Sequence, residues 1–255
     1  MMTKEELIEL TKKTKMKLYQ QEKHYMQTII LNAIYSKIGK ELVFKGGTAL
    51  MFFYGIERFS EDLDFTLNGE IDINKIKKEI MLKLELLNFK PEIKDIKTKT
   101  GINFRISVQG PLYTSEISRC YVKIEISDRQ DIKLKPILKE ISPYYNEIPP
   151  FTVFIMNPVE ITSEKIRAII KRNYARDVYD LYYLIKKEYR PKKELVNIKM
   201  EYYNEKFDLK IFKKALQNKK EIWNSELDSI LLNNIPSFIE CKKTILTNLF
   251  GDEND

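Results

Sequence analysis

Two aspartates separated by one residue, in Asp62-Leu63-Asp64-Phe65-Thr66-Leu67, are the side chains of this sequence best placed to do chemistry. The segment alternates polar and apolar with a period of two. In a strand, Asp62 and Asp64 therefore project from one face while Leu63, Phe65 and Leu67 pack on the other. Neighbouring carboxylates repel each other, and a hard divalent cation is the usual reason for keeping such a pair. Upstream, Leu42-Val43-Phe44 reads as a short buried strand that ends in a Gly46-Gly47 turn. Glycine accepts positive φ and lets a ligand lie close to the backbone. Thr48 is then expected to cap a short helix, Ala49 to Tyr54, whose N-terminus presents N–H groups and a hydroxyl to an anion.

The elements that must hold these residues follow from periodicity. Lys4 to Ile38 lacks Pro and Gly and carries Leu7, Leu10, Leu18, Tyr25, Ile29, Ile30 and Ile34 at helical intervals, which predicts one or two helices ending at Gly39. Ile73 to Leu87 has Ile76, Ile80, Leu84 and Leu87 on one stripe and predicts a helix packed on a sheet. Phe89 to Gln109 reads as a hairpin turning near Thr100-Gly101. Cys120 to Ser127 alternates again, with Val122, Ile124 and Ile126 on one face and Tyr121, Lys123 and Glu125 on the other. Pro136 to Pro150 suggests an irregular connection, and Phe151 to Met156 a short strand. Helical spacing recurs from Val159 to Glu188, and further helices are expected around 209–216, 222–232 and 239–250. The final Gly-Asp-Glu-Asn-Asp reads as a disordered tail.

Composition narrows the field. A chain of 255 residues can bury a sizeable core as one large domain or two modest ones. It has no apolar run of about 18 residues and no leader-like segment, so neither a membrane span nor a signal peptide is expected, and the cytoplasm is the expected location. Cys120 and Cys241 lie far apart without neighbours at metal-ligand spacing, which argues against a disulfide framework or a zinc site. The single histidine, His24, excludes most chemistries that need a His base or several His ligands, and its setting beside Tyr25, Met26 and Ile29 reads as structural. Lys and Arg number 44 against 37 Asp and Glu, giving +7. That balance favours a polyanionic partner, although a solvated lysine-rich surface gives the same excess.

Strand, Gly-Gly-Thr, short helix and Asp-x-Asp on the next strand resemble the signature of the DNA polymerase β-like nucleotidyltransferase superfamily. The denser pattern Lys45-Gly46-Gly47-Thr48-Ala49-Leu50, followed by Arg58-x-Ser60-x-Asp62-Leu63-Asp64-Phe65, resembles the AbiEii/AbiGii toxin family within it. The resemblance implies an α+β fold: a polymerase β-like mixed sheet with flanking helices, and a helical C-terminal domain. The expected division is a nucleotidyltransferase domain with N-terminal helices at 1–157 and the helical domain at 158–255. The resemblance also implies Mg2+ or Mn2+ held by Asp62, Asp64 and a third carboxylate on a neighbouring strand, which Glu125 matches, with Asp128 a weaker candidate. Downstream, Glu164 to Arg172 and then Arg176-Asp177-Val178-Tyr179-Asp180-Leu181 are similar to later motifs of the family. Lys165 matches its phosphate-contacting lysine, Asp180 its essential downstream aspartate, and Asp177 the aspartate of the Arg-Asp pair. The implied catalytic set is Asp62, Asp64, Glu125, Lys165 and Asp180. The implied nucleotide-binding set is Lys45, Gly46, Gly47, Thr48, Arg58, Ser60, Lys165 and Asp177.

By the same resemblance the reaction moves NMP from an NTP to an acceptor, RNA and tRNA in particular. The setting would be a toxin–antitoxin or abortive-infection (phage-defence) pair with a cognate antitoxin. Each residue has a plainer alternative. Glu125 can be an exposed strand residue beside Lys123, and Lys165 one surface lysine among many. Asp177 can be a helix N-cap with Asp180 three residues on, and Tyr179, Tyr182 and Tyr183 read as packing residues. Two rival functions stand beside the first: another Mg-dependent Asp-x-Asp enzyme such as a phosphatase or glycosyltransferase, and an inactive nucleotide- or RNA-binding module on the same scaffold. The phosphatase pattern needs a nucleophilic Asp at a strand end with an early Thr or Ser and a Lys, an order this sequence does not have.

Overall fold

The computed structural model describes residues 1–98 and 100–250, and the tail expected at 251–255 lies outside them. Two compact units result. Met1–Gly55, Phe59–Ile132 and Pro136–Ile155 make the first; Ile56–Arg58, Lys133–Lys135 and the chain from Met156 onward make the second.

In the first unit, Thr3 opens α1 (Lys4–Thr14) with a capping box: its hydroxyl accepts from Glu6 N–H while the Glu6 carboxylate accepts from Thr3 N–H. The buried α2 (Leu18–Tyr35) follows, then β1 (Leu42–Lys45), α3 (Gly46–Tyr54), β2 (Leu63–Leu67) and α4 (Ile73–Leu86). The expected hairpin is β3 (Pro91–Ile96) and β4 (Ile102–Val108), after which come β5 (Cys120–Ser127), β6 (Ile137–Ile141) and β7 (Phe151–Ile155). The strands form one seven-stranded mixed sheet in the order β3-β4-β5-β2-β1-β7-β6. At its centre β2 runs parallel to β5 and antiparallel to β1. Leu63, Phe65, Phe104, Ile106, Val122, Ile124 and Ile126 are among the sheet's residues in the core, with Ile29 and Ile30 from α2 and Ile76, Ile80 and Leu84 from α4. Burying that apolar face sets the register, because a slip of one residue would turn it toward water.

Three sequence expectations change. The helix after β1 begins at Gly46, two residues earlier than the cap expected at Thr48, with Lys45 as its N-cap. The stretch 136–150 is not wholly irregular, since β6 forms at its start. Pro136 immediately precedes that strand, and β6 sits at a sheet edge, where proline is tolerated and alternation is short and half-exposed. Lys193–Glu201 forms a helix that went unmarked in the lysine-rich stretch.

The second unit is helical: α5 (Pro158–Lys171), α6 (Ala175–Lys186), α7 (Lys193–Glu201), α8 (Leu209–Asn218), α9 (Trp223–Leu227) and α10 (Phe238–Thr247). Asn157 caps α5 by accepting from Val159 N–H, and Pro158 occupies the first turn, where its missing N–H has no helical partner to lose. Arg172 turns extended and ends α5; α6 then opens with its Ala175 N–H donated to the Glu226 carboxylate at 2.7 Å. Two short segments from earlier in the chain complete this unit. Glu57 accepts at its carbonyl from Leu232 N–H at 3.0 Å. Lys133 and Leu134 donate their N–H groups to the two Glu160 carboxylate oxygens, each at 2.9 Å, and the fully buried Glu160 is paired with Lys199 at 2.7 Å.

Glu160→Ala removes both the acceptor of two backbone donors and the nearer partner of a buried ammonium. Stability to urea should fall by about 3–5 kcal/mol, the range for breaking a buried pair from one side, and the Lys133 and Leu134 amides should exchange hydrogen faster.

Candidate active site

In the first unit, Lys45 (β1), Asp64 (β2), Glu125 (β5) and Asn103 (β4) stand opposite one another in a single row across four adjacent strands. The alternation of β2 and β5 that buries Leu63 and Ile124 turns this row to the other face, where Asp64 and Glu125 are half-buried. Asp62 lies one residue before β2. Burial first, and then the nearby Glu125 charge, push its carboxyl above its ordinary value.

Gly46 brings the turn against this row. Its φ is +73°, and a Cβ built there would stand 2.2 Å from Asp64 Oδ2, so only glycine leaves room for that carboxylate. Gly47 is buried in the first turn of α3. Thr48 is also buried, and its hydroxyl donates to the Asp62 carbonyl instead of capping the helix. The approach to Asp62 is held from α2 as well: Gln27 Nε2 donates to the Ser60 and Glu61 carbonyls at 2.9 and 2.8 Å, and Lys23 pairs with Glu61 at 2.5 Å. Sequence reading missed Gln27 and Lys23, whose side chains are buried among the several polar residues that α2 carries beside its apolar ones. His24 is structural as expected: it stacks on Phe52, meets the Tyr145 hydroxyl at 2.7 Å, and burial pushes its pKa down to about 4. Both cysteines are buried free thiols.

Glu125 accepts an ion-paired hydrogen bond from Lys123. Among the described residues no three His, Cys, Asp or Glu side chains converge as a metal-holding group. The donor set of Asp62, Asp64 and Glu125 is nevertheless all carboxylate oxygen, which suits a hard divalent cation. Burial, and then the Glu125 charge, disfavour the ionised Asp62 carboxyl, and a bound cation offsets both.

The remaining residues singled out from the sequence lie together in the second unit as a buried ion network. Arg58 grips Asp180 with two nitrogens, Nε to Oδ1 at 2.5 Å and Nη2 to Oδ2 at 2.7 Å. Lys165 reaches Asp180 at 2.6 Å and Asp177 at 3.0 Å, and Arg172 closes on Asp177 at 2.7 Å. Asp177 is no N-cap: Tyr174 holds that position, and the Asp177 carboxylate is committed to Lys165 and Arg172. Burial alone would raise both carboxyls. For Asp177, Lys165 and then Arg172 outweigh it; for Asp180, Arg58 and then Lys165 do, so both lie below the usual carboxylate range. Tyr179 and Tyr182 are buried in α6, and the Tyr182 hydroxyl donates to Glu240 at 2.8 Å.

A mixed sheet carrying Asp-x-Asp beside a glycine turn, with a carboxylate on the adjacent parallel strand, defines a nucleotidyltransferase fold. Solved structures agree on the fold. JHP933 from Helicobacter pylori matches with a TM-score of 0.61 and 21% identity over 90% of each chain. MenT4, a nucleotidyltransferase toxin from Mycobacterium tuberculosis, matches with a TM-score of 0.59 and 13% identity over 98% of this chain and 89% of its own. Among curated proteins none matches the sequence. Residues 29–242 match the family described as "Nucleotidyl transferase AbiEii toxin, Type IV TA system". The chain belongs to this AbiEii toxin family and is a nucleotidyltransferase.

Because Asp177 and Asp180 titrate below their unfolded value of about 3.9, their stabilising contribution is complete above that pH and is lost as the pH falls through the lower folded values. Asp177→Asn should therefore reduce stability at pH 7 and give a shallower loss than the native chain between about pH 4 and 2, read by urea unfolding at each pH.

Proposed function

We propose that the enzyme transfers NMP from an NTP to an RNA acceptor, with tRNA the leading candidate, as the toxin of a toxin–antitoxin pair. One observation carries the chemistry: Asp64 and Glu125 are neighbours in register on parallel strands, with Gly46 directly beneath Asp64. Asp62, Asp64 and Glu125 would hold Mg2+ or Mn2+, which when bound neutralises phosphate charge and steadies the attacking and leaving oxygens. The protein's own share is positioning. The backbone at Gly46 and Gly47 receives the triphosphate, and Thr48 acts through the Asp62 carbonyl it holds. Lys45 adds positive charge opposite Asp64, and Ser60 belongs to the segment that Gln27 fixes. The acceptor hydroxyl oxygen bonds to the α-phosphorus, the α–β bridging bond breaks, and pyrophosphate leaves. Glu125 takes the hydroxyl proton, or solvent water takes it when Glu125 joins the two aspartates in holding the ion. In the second unit the family resemblance assigns Lys165 to phosphate contact and Asp180 to the essential aspartate, with Arg58 and Asp177 holding those two in place.

A specific feature favours RNA. The second unit exposes Tyr174 and Tyr203, each flanked by cations. Arg176 and Arg172 lie 4.6 and 5.6 Å from the Tyr174 ring centre, and Lys171 and Arg167 lie 5.0 and 5.8 Å from that of Tyr203. Aromatic faces interleaved with cations suit unpaired bases and their phosphates. The family description brings with it an antitoxin partner. A phage-defence role by abortive infection and a cytoplasmic setting belong to the same reading; among the described residues no helix is long and apolar enough to cross a membrane.

Asp64→Ala should abolish incorporation of α-labelled NTP into total RNA while the melting temperature stays near that of the native protein; undiminished labelling would remove the metal assignment. For the acceptor, tRNA affinity measured by fluorescence anisotropy should fall steeply as salt rises. The double change Tyr174→Ala and Tyr203→Ala should weaken it by about tenfold or more, since a stacked base contributes roughly 1–3 kcal/mol. A flat salt response would count against RNA.

A further inference from the structure

We infer that Lys123 is a built-in counter-ion of the acidic row, offsetting part of its charge and giving up Glu125 when a divalent cation binds. The inference rests on the metal reading above and adds to it a residue that competes with the ion. Lys123 and Glu125 are two residues apart on β5, so both project from the same face as Asp64. The ammonium donates directly to Glu125 Oε1, and Asp64 is the in-register neighbour of that glutamate on β2. Lys45, opposite Asp64 on β1, is the other cation of the row, while Lys23 and Arg105 have separate tasks. Lys23 pairs with Glu61 and lies over the Tyr121 ring at 4.5 Å, and Arg105, opposite Lys123 in register, lies over the same ring at 5.4 Å.

The chemistry of lysine fits a displaceable role. Its ammonium is a compact charge on a flexible four-carbon stem and can leave without moving the strand. The two side chains are 33% and 39% exposed, so the pair is solvated enough to be weak and a divalent ion can replace it.

The test is Mn2+ binding to the full chain without NTP, by calorimetry, for the native protein and Lys123→Met. Removing the competing cation should tighten Mn2+ binding about three- to fivefold. It should also lower the melting temperature without Mn2+, and saturating Mn2+ should restore it. Lys123→Arg, which keeps the charge, should bind Mn2+ within about twofold of the native protein. If Lys123→Met folds poorly, Lys123→Gln takes its place. Equal or weaker binding by the neutral variant overturns the role of Lys123 while leaving the metal site standing. A melting temperature lowered equally with and without Mn2+ would mark Lys123 as merely structural. Absence of Mn2+ binding in both proteins would overturn the metal reading, and this inference with it.

Discussion

Like charges set side by side on neighbouring strands repel, and the first unit is built around tolerating that repulsion. Asp64 and Glu125 meet in register because the apolar rows flanking them, Leu63 with Ile124 and Phe65 with Ile126, can be buried in only one register. The acids thus follow from the core: the alternation that hides the isoleucines delivers the carboxylates to the opposite face. Everything adjoining them is fitted to that outcome. Gly46 lacks the atom that would strike Asp64, Lys45 stands across from it, and Lys123 leans on Glu125. Gln27 and Thr48 fix the backbone leading into Asp62 through its carbonyls, leaving the carboxylates uncommitted by those bonds.

The second unit treats charge in the opposite way. Asp177 and Asp180 are sealed from solvent, and each is met by two cations, so that Arg58, Asp180, Lys165, Asp177 and Arg172 form an alternating series. Such interiors are seldom more stable than well-packed hydrocarbon, but removing any one member strands another. The series ends at Arg172, whose side chain is about half-exposed and whose guanidinium lies beside the Tyr174 ring. A buried order is thereby carried out to a polar surface.

Local pattern revealed what local pattern controls. The glycine turn, the Asp-x-Asp segment and the strand bearing Glu125 were legible because each is a short periodic stretch with its own punctuation. The strand β6 escaped notice because a half-exposed edge strand between prolines has little alternation to show, and α7 because lysines dilute its apolar stripe. Side-chain partners were the least legible. Nothing near Arg58 announces Asp180, and the neighbours of Asp177 suggested a cap when its carboxylate was committed to Lys165 and Arg172. The Lys123–Glu125 pair could be seen as two charges on one strand face, but its bearing on the acidic row needed the order of the strands.

The segments 56–58 and 133–135 give the chain an order in time as well as in space. Arg58 leaves the ribosome 122 residues before the aspartate it must hold, and Lys133 and Leu134 precede Glu160 by 27 and 26 residues. Until α6 has been synthesised, that guanidinium lacks the carboxylate it grips, and loops of this span form slowly. A fragment starting at 158 would emerge lacking both inserts, with Asp180 and Glu160 short of donors supplied by earlier residues. A cut at 157 would therefore separate Asp180 and Glu160 from partners that residues 58, 133 and 134 supply.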